Sequence, residues 1–249
     1  MREFDYENLY DKVGKINGWD FSNIKSLTDG VNWNFYEEVI KRCNKTDVLL
    51  DIGSGGAENL MKIAPSLFFL IGIDLSKGML ETALTNLKRS KVKNVKFFQM
   101  SSDQLQFPAG FFDVVSCRHA PFSSTEVVRV LKQGGWFLTQ QVSEDDKLNL
   151  KKAFGRGQAF DERDGVLKER YIRELSEAGF SEIKSFEYDA IEYIKSTEEL
   201  TFLLKHTPII PNFGQDSRDI EILSDFIKNN RNEKGILTNS KRFLLIARK

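Results

Sequence analysis

The residues able to do chemistry in this sequence cluster where apolar runs end. Val48-Leu49-Leu50 leads into Asp51, then Ile52-Gly53-Ser54-Gly55-Gly56, and a helical pattern opens at Ala57-Glu58-Asn59. Phe68-Phe69-Leu70-Ile71-Gly72-Ile73 ends in Asp74, and Phe112-Asp113-Val114-Val115 leads into Ser116-Cys117-Arg118-His119. Glycine permits positive φ and lets a ligand approach the backbone. A carboxylate offers two acceptor oxygens, which suits neighbouring hydroxyls. Histidine titrates near neutrality, and arginine recognises acidic groups. Strand ends carrying such residues predict a ligand cleft beyond the C-terminal edge of a parallel sheet.

Two cofactor classes compete for the glycine turn. A dinucleotide site wants Gly-x-Gly-x-x-Gly with a pyrophosphate at the helix N-terminus. Gly53 and Gly55 fit, but the third glycine position holds Glu58. A carboxylate there would repel the pyrophosphate. S-adenosylmethionine has no phosphate at this point and carries an ammonium and a sulfonium. Asp74 follows the turn by about 20 residues, where an acid at a strand tip binds ribose hydroxyls. The plain alternatives are a tight turn before a packed helix and a solvated strand end.

At this point the sequence resembles the class I S-adenosylmethionine-dependent methyltransferases. Asp51-Ile52-Gly53-Ser54-Gly55 is similar to their first motif, and Ile73-Asp74-Leu75-Ser76 with Met79-Leu80 to their second. Ser101-Ser102-Asp103-Gln104-Leu105-Gln106-Phe107-Pro108, followed by Phe112-Asp113-Val114-Val115, resembles the third and fourth. Val127-Val128-Arg129-Val130-Leu131-Lys132-Gln133-Gly134-Gly135-Trp136 resembles the helix, glycine pair and strand that come next. Ala57 replaces the usual third glycine, and Ser101 replaces the acid that often meets adenine. The resemblance implies that Asp51, Gly53, Ser54 and Gly55 hold the methionine end of the cofactor. It implies Asp74 at the ribose, Leu75 against adenine, Ser102 or Asp103 at its polar edge, and Arg118 touching the cofactor through its backbone.

Alternating strands and helices must position these residues. Strands are expected near 46–52, 68–74, 95–99, 111–117, 135–142, 182–190 and 241–248. Helices are expected near 31–42, 57–65, 77–89 and 122–132, the last closed by Gly134-Gly135, with two more in 143–181. The fold class is α/β, a doubly wound, mostly parallel seven-stranded sheet. The reading is of a single domain over residues 1–249, with an N-terminal helical segment (1–44) over the cofactor mouth and a cofactor-binding core (45–142). A helical insertion (192–238) precedes the last strand and reads as a substrate cap, being longer than an ordinary loop.

Methyl transfer needs alignment of acceptor, methyl and sulfur, and a base only when the acceptor must lose a proton. His119 is the candidate base; a structural histidine is the alternative. Arg118 reads equally as a binder of an acidic substrate group or as half of a rim ion pair. Gln140 and Gln141 bond either substrate or loop backbone, and Cys117 reads as a buried strand residue. Asn/Asp-Pro-Pro-Tyr is absent at this strand tip, against DNA and glutamine substrates.

The 249 residues include 36 basic and 36 acidic side chains, so no global field favours nucleic acid or an anionic membrane. Two distant cysteines and two histidines predict no metal site. The polar start Met1-Arg2-Glu3-Phe4-Asp5 and the lack of long apolar runs predict a cytoplasmic chain without a membrane span. The basic run Lys88, Arg89, Lys91, Lys93 and Lys96 reads as a solvated connector. The functional expectation is an S-adenosylmethionine-dependent methyltransferase acting on a small molecule. Alternatives are an RNA methyltransferase and a non-catalytic cofactor-binding protein on the same fold.

Overall fold

A computed structural model describes residues 11–13 and 25–249. The central strands are β2 (Val48–Ile52), β3 (Phe69–Asp74), β4 (Val95–Gln99), β5 (Phe112–Arg118), β6 (Leu131–Val142), β7 (Glu182–Ile194) and β9 (Gly235–Arg248). They lie in the order β7-β9-β6-β5-β2-β3-β4. β2, β3, β4, β5 and β6 pair in parallel, and β9 is antiparallel to both β6 and β7. These seven are the predicted sheet. Two short strands complete it: β1 (Ser26–Asp29) flanks β7, and β8 (Arg231–Asn232) pairs with the start of β9. β1 escapes a pattern reading because three of its four residues are exposed.

Alternation along each strand fills both faces. Leu50, Ile52, Val115 and Phe243 point to one apolar layer, covered by α4 (Ser124–Val130) and α6 (Val166–Ala178). Leu49, Leu70, Val114 and Leu244 point to the other, covered by α1 (Phe35–Ile40), α2 (Glu58–Ile63) and α3 (Lys77–Arg89). A sheet buried on both sides explains the near-continuous apolar runs. Strand order reverses between β2 and β5, so the connections leaving their paired C-terminal ends diverge and open a crevice there.

Three boundaries differ from the sequence reading. α4 stops at Val130, so Gly134 and Gly135 lie inside β6, where the pairing with β5 shifts register, and do not cap a helix. An added Cβ at Gly135 would stand 2.9 Å from the Asp113 carbonyl oxygen, which is why a glycine fits that irregularity. β7 and β9 run on to Ile194 and back from Gly235, paired residue by residue, so part of the expected insertion is an extended two-stranded arm. The arm carries α7 (Thr197–His206) and α8 (Asp219–Asn230), which pack on α5 (Leu148–Phe154) around Leu150, Leu200, Leu204, Leu223 and Phe226. Arg156 grips the fully buried Asp219 with two bonds of 3.0 Å and ties this layer to the loop after α5.

Candidate functional site

The glycine turn is pinned from β3. The amides of Gly53 and Ser54 both donate to the Ile73 carbonyl at 2.9 Å. Gly53 has φ +74°, and a Cβ there would lie 2.3 Å from the Ala120 Cβ. Glycine is needed here because the loop after β5 presses on the turn, as well as for any ligand. Ala57, at the site of the missing glycine, adopts the left-handed conformation (φ 62°) as N-cap of α2. Glu58 does not line the cleft; its Oε1 accepts from Asn86 Nδ2 at 3.0 Å. The repulsion argued from the sequence therefore places this carboxylate wrongly, on the cleft side.

Beyond these strand ends lies a cleft of about 350 Å³, lined by Gly53, Gly55, Asp74, Leu75, Ser102 and Asp103 on one side and by Arg118 to Pro121 on the other. The fold thus brings together most of the residues singled out in the sequence; Asp51 and Ser54 lie buried beneath the turn. Both oxygens of Asp74 accept backbone amides, from Gly55 and from Ser76, each at 2.9 Å. Each keeps a second lone pair. Burial raises the Asp74 carboxyl above the usual carboxylate range despite these bonds. Ser76 caps α3 through the Met79 amide (3.1 Å) and donates to Asp11 Oδ1 (2.6 Å), fixing the described part of the N-terminal segment at this helix start. Tyr6, Tyr10, Trp19 and Phe21 lie outside the described residues.

Leu75 is half exposed, with Met79 and Met100 also lining that end of the cleft. Ser101 and Asp103 close a small turn, the Asp103 amide donating to Ser101 Oγ at 3.2 Å. Asp51 is fully buried behind the cleft wall and does not itself line it. Its Oδ1 accepts from Ser116 Oγ at 2.5 Å, while Oδ2 has no partner. Burial pushes its carboxyl up to about 7, against the Ser116 bond and the nearby Arg118 guanidinium. Ser54 Oγ and Arg118 Nε are also buried without partners. The Arg118 guanidinium lies 5.9 Å from the ring centre of Tyr36, whose phenol is driven upward by burial and by Asp51. No ion pair joins Arg118 to a rim carboxylate among the described residues.

His119 follows β5 at φ +58°, an uncommon conformation for a side-chain-bearing residue. Its ring Nε2 lies 3.0 Å from Gln140 Nε2, and Gln140 Oε1 accepts from Trp33 Nε1 at 2.8 Å. Burial, with Arg118 and Arg242 nearby, depresses the His119 pKa well below its ordinary value. Gln141 serves the loop, donating to the Ala120 carbonyl at 2.8 Å. Cys117 is buried with its thiol pushed upward by burial, which leaves no thiolate nucleophile. His206 closes α7, its Nδ1 bonded to the Phe202 carbonyl at 2.7 Å. Trp33 and Tyr36, in the N-terminal segment expected over the cofactor mouth, each meet the site through a partner remote in sequence.

Comparison with known proteins agrees with this geometry. Residues 49–135 match the family model described as a methyltransferase domain. An uncharacterized methyltransferase of Bacillus subtilis, YcgJ, is 38% identical over 103 residues, 39% of this chain and 41% of its own length. The demethylmenaquinone methyltransferase of Lactococcus lactis is 38% identical over 92 residues, 34% of this chain and 36% of its own length.

Residues 49–135 form a methyltransferase domain.

The chain therefore spans about two fifths of the length of these curated relatives. Among solved structures, YcgJ superposes with a TM-score of 0.59 at 21% identity, covering 86% of this chain and 97% of YcgJ. A phosphoethanolamine N-methyltransferase of Haemonchus contortus in complex with S-adenosylmethionine superposes with a TM-score of 0.54 at 20% identity, covering 97% of this chain and 56% of that one. At these identities the likeness is one of fold. No helix among the described residues is long and apolar enough to cross a membrane.

Proposed function

We propose that this chain is a cytoplasmic S-adenosylmethionine-dependent methyltransferase acting on a small molecule. The observation that carries the reading is the set of buried polar atoms left without partners beside the cleft: Asp51 Oδ2, Ser54 Oγ and Arg118 Nε. Leaving a buried polar atom unpaired costs about 1–3 kcal/mol. Three in one place fit a ligand that brings both an ammonium and a carboxylate. The methionine end of the cofactor has both. Asp51 would take the ammonium, Arg118 the carboxylate, and Ser54 either group.

The remaining assignments follow the cleft. Asp74 keeps lone pairs for ribose hydroxyls after serving Gly55 and Ser76. Leu75, Met79 and Met100 offer apolar area to adenine, and Ser102 and Asp103 meet its polar edge. When bound, the cofactor supplies a methyl group on a sulfonium. The protein's part is to hold the acceptor in line, a contribution that can reach about 7–11 kcal/mol of barrier. The layer around α7 and α8 would act as the cap over the acceptor, supported by its place on the arm beyond β6.

Calorimetric titration with S-adenosylmethionine, S-adenosylhomocysteine and NAD in parallel tests the cofactor. Binding of the first two alone, followed by labelled methyl transfer to a metabolite extract, supports the reading. Binding of NAD alone overturns it; cofactor binding with no transfer to any pooled metabolite overturns the enzymatic part.

A further inference from the structure

The hydrogen-bond chain Trp33–Gln140–His119 determines more than a position. An indole nitrogen only donates. Trp33 Nε1, 2.8 Å from Gln140 Oε1, therefore fixes which end of that amide is oxygen. The reversed amide would set two donors against each other. The Gln140 Nε2 group then faces His119 Nε2 at 3.0 Å, and an amide nitrogen also only donates. His119 Nε2 must be the acceptor, so it carries no proton. In a neutral ring the proton is then on Nδ1. A doubly protonated ring would again oppose two donors at Gln140. Gln140 is itself 4% exposed and cannot turn away to water. No described residue bonds His119 Nδ1, and the residue lines the cleft.

We propose that His119 is held as the Nδ1–H tautomer and serves the cleft as a fixed hydrogen-bond donor, not as a general base, and that the acceptor molecule presents a phenolate- or enolate-type oxygen to it. The second half rests on the methyltransferase reading above; the first does not. Of the two cations beside His119, Arg242 is paired with Asp146, so the positive charge open to the cleft is that of Arg118, which lines it and which the acceptor oxygen would share with the cofactor carboxylate. The electron pair of an already ionised acceptor forms the bond to the methyl carbon. The carbon–sulfur pair stays on sulfur and cancels its positive charge. No proton is moved in that step, so none needs a base. Trp33 and Gln140 are positioning residues that act through His119.

The chain has two histidines, so nitrogen-15 NMR of histidine-labelled protein reads the tautomer directly, with His206→Gln assigning the second ring. The expected result is a pyrrole-type Nδ1 and a pyridine-type Nε2 for His119. In Trp33→Phe, which keeps the ring but frees the amide to turn, both nitrogens should shift toward a tautomer average. A pyrrole-type Nε2 in the wild type, an imidazolium at neutral pH, or a Trp33→Phe spectrum identical to wild type overturns the assignment. The acceptor class is tested in the same samples, saturated with S-adenosylhomocysteine. Titration with 4-nitrophenolate should move the Nδ1–H resonance, and nitrobenzene should not. Equal response, or none, overturns the acceptor class. If S-adenosylhomocysteine itself fails to bind, the methyltransferase reading falls while the tautomer result stands.

Discussion

Asp74 holds Gly55: one carboxylate oxygen takes the Gly55 amide hydrogen at 2.9 Å while the other takes that of Ser76. The tip of β3 thus braces the glycine turn after β2 and the first turn of α3 at once. Asp74→Asn retains the shape but replaces one acceptor with a donor, so one backbone amide faces an N–H. We expect a loss of about 1–3 kcal/mol, read as a lower melting temperature. The affinity for S-adenosylhomocysteine should fall about tenfold or more. An unchanged melting temperature would mean that the brace carries no stability.

Asp51→Asn should separate binding from folding. Ser116 can still donate to the amide oxygen, and the variant removes a carboxyl that burial keeps near a pKa of about 7. Charge-assisted bonds contribute about 1.5–3 kcal/mol, so cofactor affinity should drop about 10- to 100-fold. Melting temperature at mildly alkaline pH should equal or exceed that of the wild type. Joint loss of stability and binding would contradict this.

The same group sets a pH dependence. The folded carboxyl binds its proton more tightly than an unfolded aspartate does, the ordinary value being 3.8. The stability it contributes is present in full below that value. It is lost as pH rises to about 7, beyond which the contribution is constant. A ligand ammonium favours the ionised form, so binding below about pH 7 should release a proton. Calorimetry in buffers of different ionisation enthalpy should show this release near pH 6, turning to proton uptake near pH 9, where the free ligand's amino group must gain a proton to bind as the ammonium. Proton uptake near pH 6 would refute the assignment.

Gly53→Ala meets two penalties, a positive φ and the 2.3 Å approach to Ala120. Left-handed backbone costs a residue with a side chain about 1–2 kcal/mol, and overpacking about 1–3. Adding Ala120→Gly should recover the packing part only. Full recovery of melting temperature in the double variant would show that conformation contributes nothing.

Asp219→Asn leaves Arg156 opposite an amide at the rim of the layer around α7 and α8. Asp219 is fully buried but the Arg156 side chain is 35% exposed and can turn to water, so the loss should fall below the roughly 3–5 kcal/mol of a wholly buried pair. Hydrogen exchange should accelerate in α7 and α8 while β2, β3 and β5 stay protected. Uniform acceleration would show that the layer and the sheet open as one unit.

The glycine-turn side of the cleft was legible in sequence because its signals are local. Asp51 with Gly53 and Gly55, and Asp74 with Ser76, each lie within one strand and its turn, so run, acid and glycine can be seen together. The His119 side depends on contacts across the chain. Trp33 reaches Gln140 over 107 positions, and only the antiparallel return of β9 brings Arg242 near His119. Glu58 misled because its spacing matches a phosphate fingerprint, whereas Asn86 on the neighbouring helix decides where its carboxylate goes. The extra length of β7 and β9 was hidden for a similar reason. Residues such as Glu192 and Asn239 look like loop, and each strand is ordered by its partner more than by its own composition.

β6 accompanies β9 only from Arg248 back to Arg242; past that point β9 has β7 and β8 for company. Everything mounted on the outer stretch therefore shares no hydrogen-bond ladder with the strands that carry Asp51 and Asp74. What hangs from the arm can thus be exchanged without disturbing a single rung of the ladder that braces the glycine turn.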